Sequence, residues 1–358
     1  MDYTKDELTA LWLDGLHLDY ARRAKLLELA PAPYELVRRF PAYAERMRAA
    51  VGEEAFSHIE RSLSSPAFMR GLLARYAEKG ITAVTYYSAG YPAQLKELPD
   101  PPLALYCRGD LSLLQARMFC IVGSRHTQPA VRRLTEKWAG ELARQFAIVS
   151  GCAPGGDESA LRGALAAGGK CVCVLAHGLD FVSPETSRNL VAEVEKSGLL
   201  VSEYPPETQP RGYLFPARNR LLAGLSEGVL VVSGGEKSGT RITADKAYEY
   251  GRDVFALPYP PGAASGAGCN ALIKEYAKLA DNLVDIFSAF GINLTETAGE
   301  PLSAAEQAVL SALADGEKHV SELAAASGMR QGELSAALIL LEMKGQIANC
   351  GGNKYKKI

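Results

Sequence analysis

The chain lacks most of the features that would name a chemistry outright. It has no dominant charge: 39 basic side chains against 41 acidic ones leave a formal net charge of −2. A strongly basic chain would point to nucleic acid, so here any polyanion site has to be a local patch. The seven cysteines contain no Cys-x-x-Cys pair, which leaves no support for a zinc site or a disulfide framework. Cys171 and Cys173 stand two apart in an apolar run, on one face of a strand, and read as buried reduced thiols. No apolar run approaches the roughly 20 residues of a membrane span. The opening Met1-Asp2-Tyr3-Thr4-Lys5-Asp6 lacks the apolar stretch of a signal peptide. These absences predict a cytoplasmic protein with no metal and no cofactor.

What is present is a large globular sequence. Its 358 residues are 47% hydrophobic, enough for two or three domains of roughly 150 residues each. Residues 1–75 read as a small helical module, opened by Leu8, Leu11, Leu13 and Leu16 and punctuated by Pro31, Pro33 and Pro41. Its paired arginines (Arg22-Arg23, Arg38-Arg39, Arg46 with Arg48) read as a solvated face in preference to a DNA contact. Between 76 and 117, Ile81–Tyr87 and Leu103–Cys107 have strand composition, separated by Pro99, Pro101 and Pro102.

From 118 to about 290, short β-branched runs alternate with helical patterns. Strands are expected near 118–122, 147–150, 171–176, 199–202, 228–232 and 253–257, with helices notably at 129–146 and 240–250. That alternation predicts an α/β fold, a doubly wound, mostly parallel sheet with right-handed crossovers. The core as a whole is expected over 76–290 and a linker over 291–302. Ser303-Ala304-Ala305-Glu306 then has the form of a capping box. Helices near 304–313, 319–326 and 331–344, followed by a hairpin signature at Gly351-Gly352, predict a winged helix-turn-helix over 303–358. Charges balance across this module, so contact with protein and contact with DNA remain equally open.

Loops at the carboxyl edge of a parallel sheet form a binding crevice, and the chain places glycines and basic residues there. Gly123-Ser124-Arg125 ends the first core strand: the glycine permits a tight turn, the serine offers a hydroxyl, and the arginine can fork onto phosphate. No dinucleotide fingerprint follows it. Ser150-Gly151-Cys152-Ala153-Pro154-Gly155-Gly156-Asp157 ends the second strand, with Asp157 read as a helix cap. His177 reads as a loop histidine of structural role. Phe215-Pro216-Ala217-Arg218-Asn219-Arg220 combines an aromatic, two arginines and an asparagine, the residue types that stack bases and hold phosphates of a single strand. The alternative buries Phe215 and pairs Arg218 or Arg220 with Glu203 or Asp180. Lys237-Ser238-Gly239-Thr240 opens a helix whose free N–H groups make a second anion seat.

Taken together, these segments resemble the DprA/Smf family of bacterial DNA-processing proteins. The stretches that carry the resemblance are Gly123-Ser124-Arg125, Ser150-Gly151-x-Ala153-x-Gly155-x-Asp157, Ser202-Glu203-Tyr204-Pro205-Pro206, Phe215-Pro216-x-Arg218-Asn219-Arg220, Ser238-Gly239-Thr240 with Thr243-Ala244, Gly251-Arg252-x-Val254-Phe255-Ala256-x-Pro258, and Gly268-Cys269-Asn270-x-Leu272-Ile273. They span roughly residues 80–290. The resemblance implies an extended Rossmann fold between a SAM-like or helix-hairpin-helix-like N-terminal module and a winged-helix tail. It implies a non-enzymatic protein that binds single-stranded DNA, forms a homodimer through the Rossmann core, and loads the RecA recombinase in natural transformation and recombination. It assigns Arg125, Lys237 and Phe215 to the strand, with Arg218 and Asn219 in support; Gly123, Ser124, Arg220, Ser238, Gly239 and Thr240 complete the expected DNA-binding set, with no catalytic residue. Four departures stand out: Leu161 replaces a usual histidine, Ala176 and Ser183-Pro184 alter the third motif, Ser233 replaces an acidic residue, and Pro258-Tyr259 replaces Pro-Gly.

Two other readings stay open. A nucleotide phosphoribohydrolase of the lysine-decarboxylase-like type would use Pro-Gly-Gly-x-Gly-Thr-x-x-Glu; here Gly234-Gly235 and Gly239-Thr240 are too widely spaced and Thr243 stands where the glutamate belongs. A nucleotide-sensing regulator would signal through the winged helix.

Overall fold

The computed structural model describes residues 3–63, 66–292, 302–343 and 346–357. The chain divides into two compact units, Met1–Ala289 and Phe290–Ile358. Most of the expected linker, 293–301, lies outside the described residues, as does Lys344 at the end of the expected third winged-helix helix.

The first unit opens with helices α1 (Lys5–Asp14), α2 (Tyr20–Glu28), α3 (Pro33–Arg38), α4 (Phe40–Val51), α5 (Glu53–Ser62) and α6 (Pro66–Glu78). Local sequence sets where they begin. Thr4 and Glu7 form a reciprocal capping box on α1, and Asp19 accepts from the Arg22 amide at the start of α2. Pro33 and Pro41 sit in the first turns of α3 and α4, where a missing N–H costs nothing. Ala10, Leu13, Leu26, Met47, Phe56 and Ile59 form the core of these helices, and Leu103 packs into the same cluster. The arginines are matched locally: Arg22 by Asp19, Arg38 and Arg39 by Glu35, Arg48 by Glu53, while Arg46 lies over the Tyr43 ring.

There follow β1 (Thr82–Thr85), α7 (Ala93–Lys96), β2 (Ala104–Gly109), β3 (Met118–Val122), α8 (Pro129–Leu142), β4 (Ala147–Ser150), α9 (Gly156–Ala166), β5 (Cys171–Val174), α10 (Arg188–Ser197), β6 (Leu199–Ser202), α11 (Leu214–Leu225), β7 (Gly228–Val231), α12 (Gly239–Glu249), β8 (Asp253–Ala256), α13 (Ala267–Glu275), β9 (Lys278–Leu279) and α14 (Leu283–Ala289). Among the described residues these strands make one nine-stranded sheet in the order β1-β2-β6-β5-β4-β3-β7-β8-β9. Every neighbouring pair from β6 to β9 is parallel, while β1 and β2 add on antiparallel beyond β6. The doubly wound, mostly parallel sheet is therefore as expected. The segment 76–117, read along the sequence as a bridge, turns out to extend the sheet. β3, β4 and β5 are buried at every position, as a parallel sheet covered on both faces requires. Cys107, Cys120, Cys152, Cys171, Cys173 and Cys269 are buried free thiols, while Cys350 is exposed.

The second unit contains α15 (Ala304–Ala312), β10 (Lys318–His319), α16 (Val320–Ser327), α17 (Gln331–Met343), β11 (Ile347–Gly351) and β12 (Lys354–Lys357). The expected capping box of Ser303 and Glu306 is present on α15, and Gly328 ends α16 in the left-handed conformation. β11 and β12 pair as the wing, with β10 on the far side of β12. Val309, Leu313, Leu323, Leu334, Leu338, Leu341 and Ile347 form its core. Glu333, Leu340 and Glu342 of α17 are exposed, and this helix contains no lysine or arginine. Lys354, Lys356 and Lys357 are exposed on the wing.

Candidate functional site

From β3 the chain adds β4, β5 and β6 on one side and β7, β8 and β9 on the other, so the strand order reverses between β3 and β7. In doubly wound sheets the crevice at this reversal is the ligand-binding position. A cleft of about 360 Å³ lies there, and it collects expected residues from three separate stretches: Gly123, Ser124 and Arg125; Phe215, Arg218 and Asn219; Ser238, Gly239 and Thr240. His126 and Thr243, which carried no expectation as ligands, also line it.

The first turn is built by close backbone approach. A Cβ on Gly123 would stand 2.7 Å from the Gly156 Cα, and one on Gly156 would stand 2.4 Å from the Gly123 Cα. The two glycines let the turn after β3 rest on the start of α9. Asp157 fastens the arrangement. Gly155, without a side-chain bond, caps α9, so Asp157 is not the helix cap expected of it. Its carboxylate instead accepts the Gly123 amide at 3.1 Å and those of Gly151 and Ala153. Burial raises the Asp157 pKa, opposed by the nearby Arg218 guanidinium and these amides. Ser233, at the position of a departure from the family pattern, joins the turn from the other side. Its hydroxyl accepts the Ser124 amide at 3.0 Å and bonds the Thr127 hydroxyl at 2.6 Å.

The Phe-Pro segment forms the first turns of α11, and its polar residues divide by task. Phe215 is half-buried and faces the cleft. Arg218 is 4% exposed and donates to the carbonyl oxygens of Val174 and Gly151, the latter at 3.3 Å. A Cβ on Gly151 would fall 2.5 Å from the Arg218 Nη2 and 2.8 Å from the Asp157 Oδ2, so a side chain there would break the packing of these groups. Asn219 accepts from the Arg218 Nε at 3.2 Å and donates to the Gly239 carbonyl at 3.1 Å, tying α11 to the start of α12. Arg220 is not brought to the cleft. Its guanidinium pairs with Asp100 and with the largely buried Glu203, the Glu203 pairing being the one that the alternative reading of this segment expects. Burial raises the Glu203 pKa, and Arg220 opposes that rise.

On the third wall, Ser238 precedes α12 and bonds the Thr240 hydroxyl across its first turn. The Arg241 amide donates to the Ser238 carbonyl at 3.1 Å, and no side chain caps the helix; the positive end of its dipole lies where Ser238, Gly239 and Thr240 line the cleft. Arg125 and Lys237 are exposed, and neither is ion-paired among the described residues. Lys237 is not among the residues that line the cleft; it directly precedes the cleft-lining Ser238. Thr243, at the position of the catalytic glutamate in the phosphoribohydrolase pattern, lines the cleft. His177 is buried, and its Nδ1 lies 3.0 Å from the Gly178 carbonyl oxygen. Asn270 clamps the backbone of Tyr259, accepting at 3.0 Å and donating at 2.9 Å, which gives the last motif a structural task.

A doubly wound α/β sheet with a cleft at its switch point, followed by a separate winged helix, defines the class. Comparison with known proteins narrows it. Residues 82–291 match the family described as DNA recombination-mediator protein A, and residues 294–353 match the DprA winged helix domain. The chain belongs to the DNA recombination-mediator protein A family, also called DprA/Smf. It is 39% identical over 218 residues to the DNA processing protein DprA of Bacillus subtilis, covering 60% of this chain and 73% of that one. It is 36% identical over 275 residues to the Protein Smf of Escherichia coli, covering 73% and 74% of the two chains. Among solved structures, the DNA processing protein A of Streptococcus pneumoniae superposes with a TM-score of 0.69 at 32% identity, over 80% of this chain and 98% of that one. The DNA processing protein A of Helicobacter pylori, solved for its single-stranded DNA binding mode, superposes with a TM-score of 0.54 at 30% identity, over 59% and 95%.

Proposed function

We propose that this protein binds single-stranded DNA in the switch-point cleft and acts without catalysis, as a homodimer, to hand the strand to a RecA-type recombinase. The single observation that carries the strand reading is the set of free groups around the cleft. Arg125 lines the cleft together with the half-buried Phe215, Lys237 directly precedes the cleft-lining Ser238, and both cations are exposed without a carboxylate partner among the described residues. Cations that hold phosphates beside an aromatic that stacks a base suit a single strand and read no sequence. Arg218 and Asn219 spend their polar atoms on carbonyls and on each other, so they hold the cleft in shape rather than touch the strand. Hand-over to a recombinase is supported by membership of a family described as recombination mediators.

The test is fluorescence anisotropy with labelled oligo-dT and a matched duplex at two salt concentrations. Arg125→Ala and Lys237→Ala should each weaken the single-strand complex and lower the slope of log affinity against log salt by about 0.7. Both variants should melt as the parent does, because both side chains are exposed. Unchanged affinity in both would remove the strand from this cleft.

A further inference from the structure

We propose a second base-stacking subsite on the outer side of the start of α11, where Tyr213 takes a nucleobase and Arg211 the adjoining phosphate; it rests on the single-strand reading above. Tyr213 is 72% exposed, the most exposed large hydrophobic side chain among the described residues. An aromatic ring held in water without a partner forfeits the burial that usually stabilises it. The other strongly exposed ring, Tyr248 at 59%, is stacked on Tyr276 at 4.4 Å. Tyr213 has no such ring contact among the described residues, and Arg211, also exposed, has no ion pair there.

Position connects this pair to the strand site. Tyr213 precedes Phe215 by two residues of helical backbone, a rise of about 3 Å, and the two rings leave on different faces, so a strand that crosses this turn can meet both rings. Phe215 faces the switch-point cleft, whereas Tyr213 and Arg211 line an adjacent groove of about 800 Å³ between α1, α2 and the loop after β6. The segment between the two depressions is fixed: Leu214 is buried, and its amide donates to the Arg211 carbonyl at 3.0 Å. Tyr213 is thus presented on a held backbone, which lowers the ordering cost of binding.

The groove itself limits the track. Asp14, Glu203 and Glu207 line it, and each already accepts a bond, from Tyr106, Arg220 and Tyr76 respectively. Carboxylates repel phosphates, so the strand passes along the rim, with one base laid on Tyr213 and its phosphate turned outward to Arg211.

The experiment titrates the full chain with oligo-dT from a trinucleotide to an octanucleotide. Wild-type affinity should rise with length, and Tyr213→Ala should weaken the octanucleotide about tenfold while leaving the trinucleotide nearly unchanged. Tyr213→Trp should restore the octanucleotide. Arg211→Ala should lower the salt slope by about 0.7, and Tyr213→Ala should leave it unaltered, a split that a merely structural role would not produce. Octanucleotide affinity unchanged in Tyr213→Ala, with Phe215→Ala weakened, overturns the subsite and leaves the cleft reading standing. If wild-type protein binds no oligonucleotide, the cleft reading fails and the subsite with it. Thermal melting of each variant confirms the fold.

Discussion

Two depressions lie along the carboxyl edge of the same sheet, and they treat charge in opposite ways. At the switch point, Arg125 and Lys237 are exposed and unpaired among the described residues, and the start of α12 has no side-chain cap. At the groove beside β6, Arg220 is matched by Glu203 and Asp100, and Arg23 approaches Asp14 at 3.7 Å. Arginine content alone would not separate them. What separates them is whether a carboxylate has already taken the cation, because a paired cation has little attraction left for phosphate. The segment 211–220 contributes to both: Phe215 turns to the cleft, Tyr213 to the groove, and Arg220 into the ion pairs behind it.

Removing the buried cations sharpens this contrast most. Arg218→Ala strips the Gly151 and Val174 carbonyls of a donor and takes the nearby cation from the buried Asp157, which keeps its three amide donors. Urea denaturation should show a loss of about 1–3 kcal/mol for each buried carbonyl left without its donor. Arg220→Ala should also cost stability, by removing the cation that offsets the burial of Glu203, yet leave the salt slope of strand binding intact in the folded protein. A slope reduced as much as in Arg125→Ala would break the distinction between the two depressions.

Phe215→Ala comes next. It should weaken a single strand about tenfold and change duplex affinity less, read by anisotropy. Equal loss for both ligands would argue that the ring serves packing alone.

The smallest effect concerns the groove. Burial lifts the Asp14 carboxyl to about 7 from an ordinary 3.8, against the Tyr106 hydroxyl and Arg23, which pull it down; Glu203 adds to the rise. The folded chain therefore keeps a proton that the unfolded chain has released between those values. Stability from this group is present below the lower value and is lost as pH rises through the upper one. Asp14→Asn should relieve that loss, so its melting temperature relative to wild type should be higher near pH 8 than near pH 5 by roughly 3 °C. A difference independent of pH would show that Asp14 carries its charge in the folded state.

Much of this was legible along the chain. Period and composition located β3, β4 and β6 to the residue, because a strand buried on both faces is a continuous apolar run with turn residues at its ends. β9 was not legible: Lys278 and Leu279 are two exposed residues with no pattern to detect. The placement of β1 and β2 beyond β6 was also hidden, since strand composition does not say which neighbour a strand will choose. Within the site, the glycine turns and the Phe-Pro segment that meet at the cleft were readable as loops of one sheet edge, and the order of motifs gave the family. Asp157 was misassigned, because an acid near a helix start has the same local signature whether it caps its own helix or reaches across to Gly123. Arg220 was placed with the strand because adjacent arginines look alike in sequence.

By itself, the sequence determined the doubly wound sheet, the winged helix and the stretches that meet at the carboxyl edge, since these follow from short-range periodicity and turn chemistry. Only the tertiary structure decided which of those residues remain free. Arg218 and Arg220 stand two apart on one helix, and their partners Val174, Gly151, Glu203 and Asp100 come from distant strands and loops. Whether a cation is spent inside the fold or left for a ligand depends on those long-range neighbours, and no local pattern encodes them.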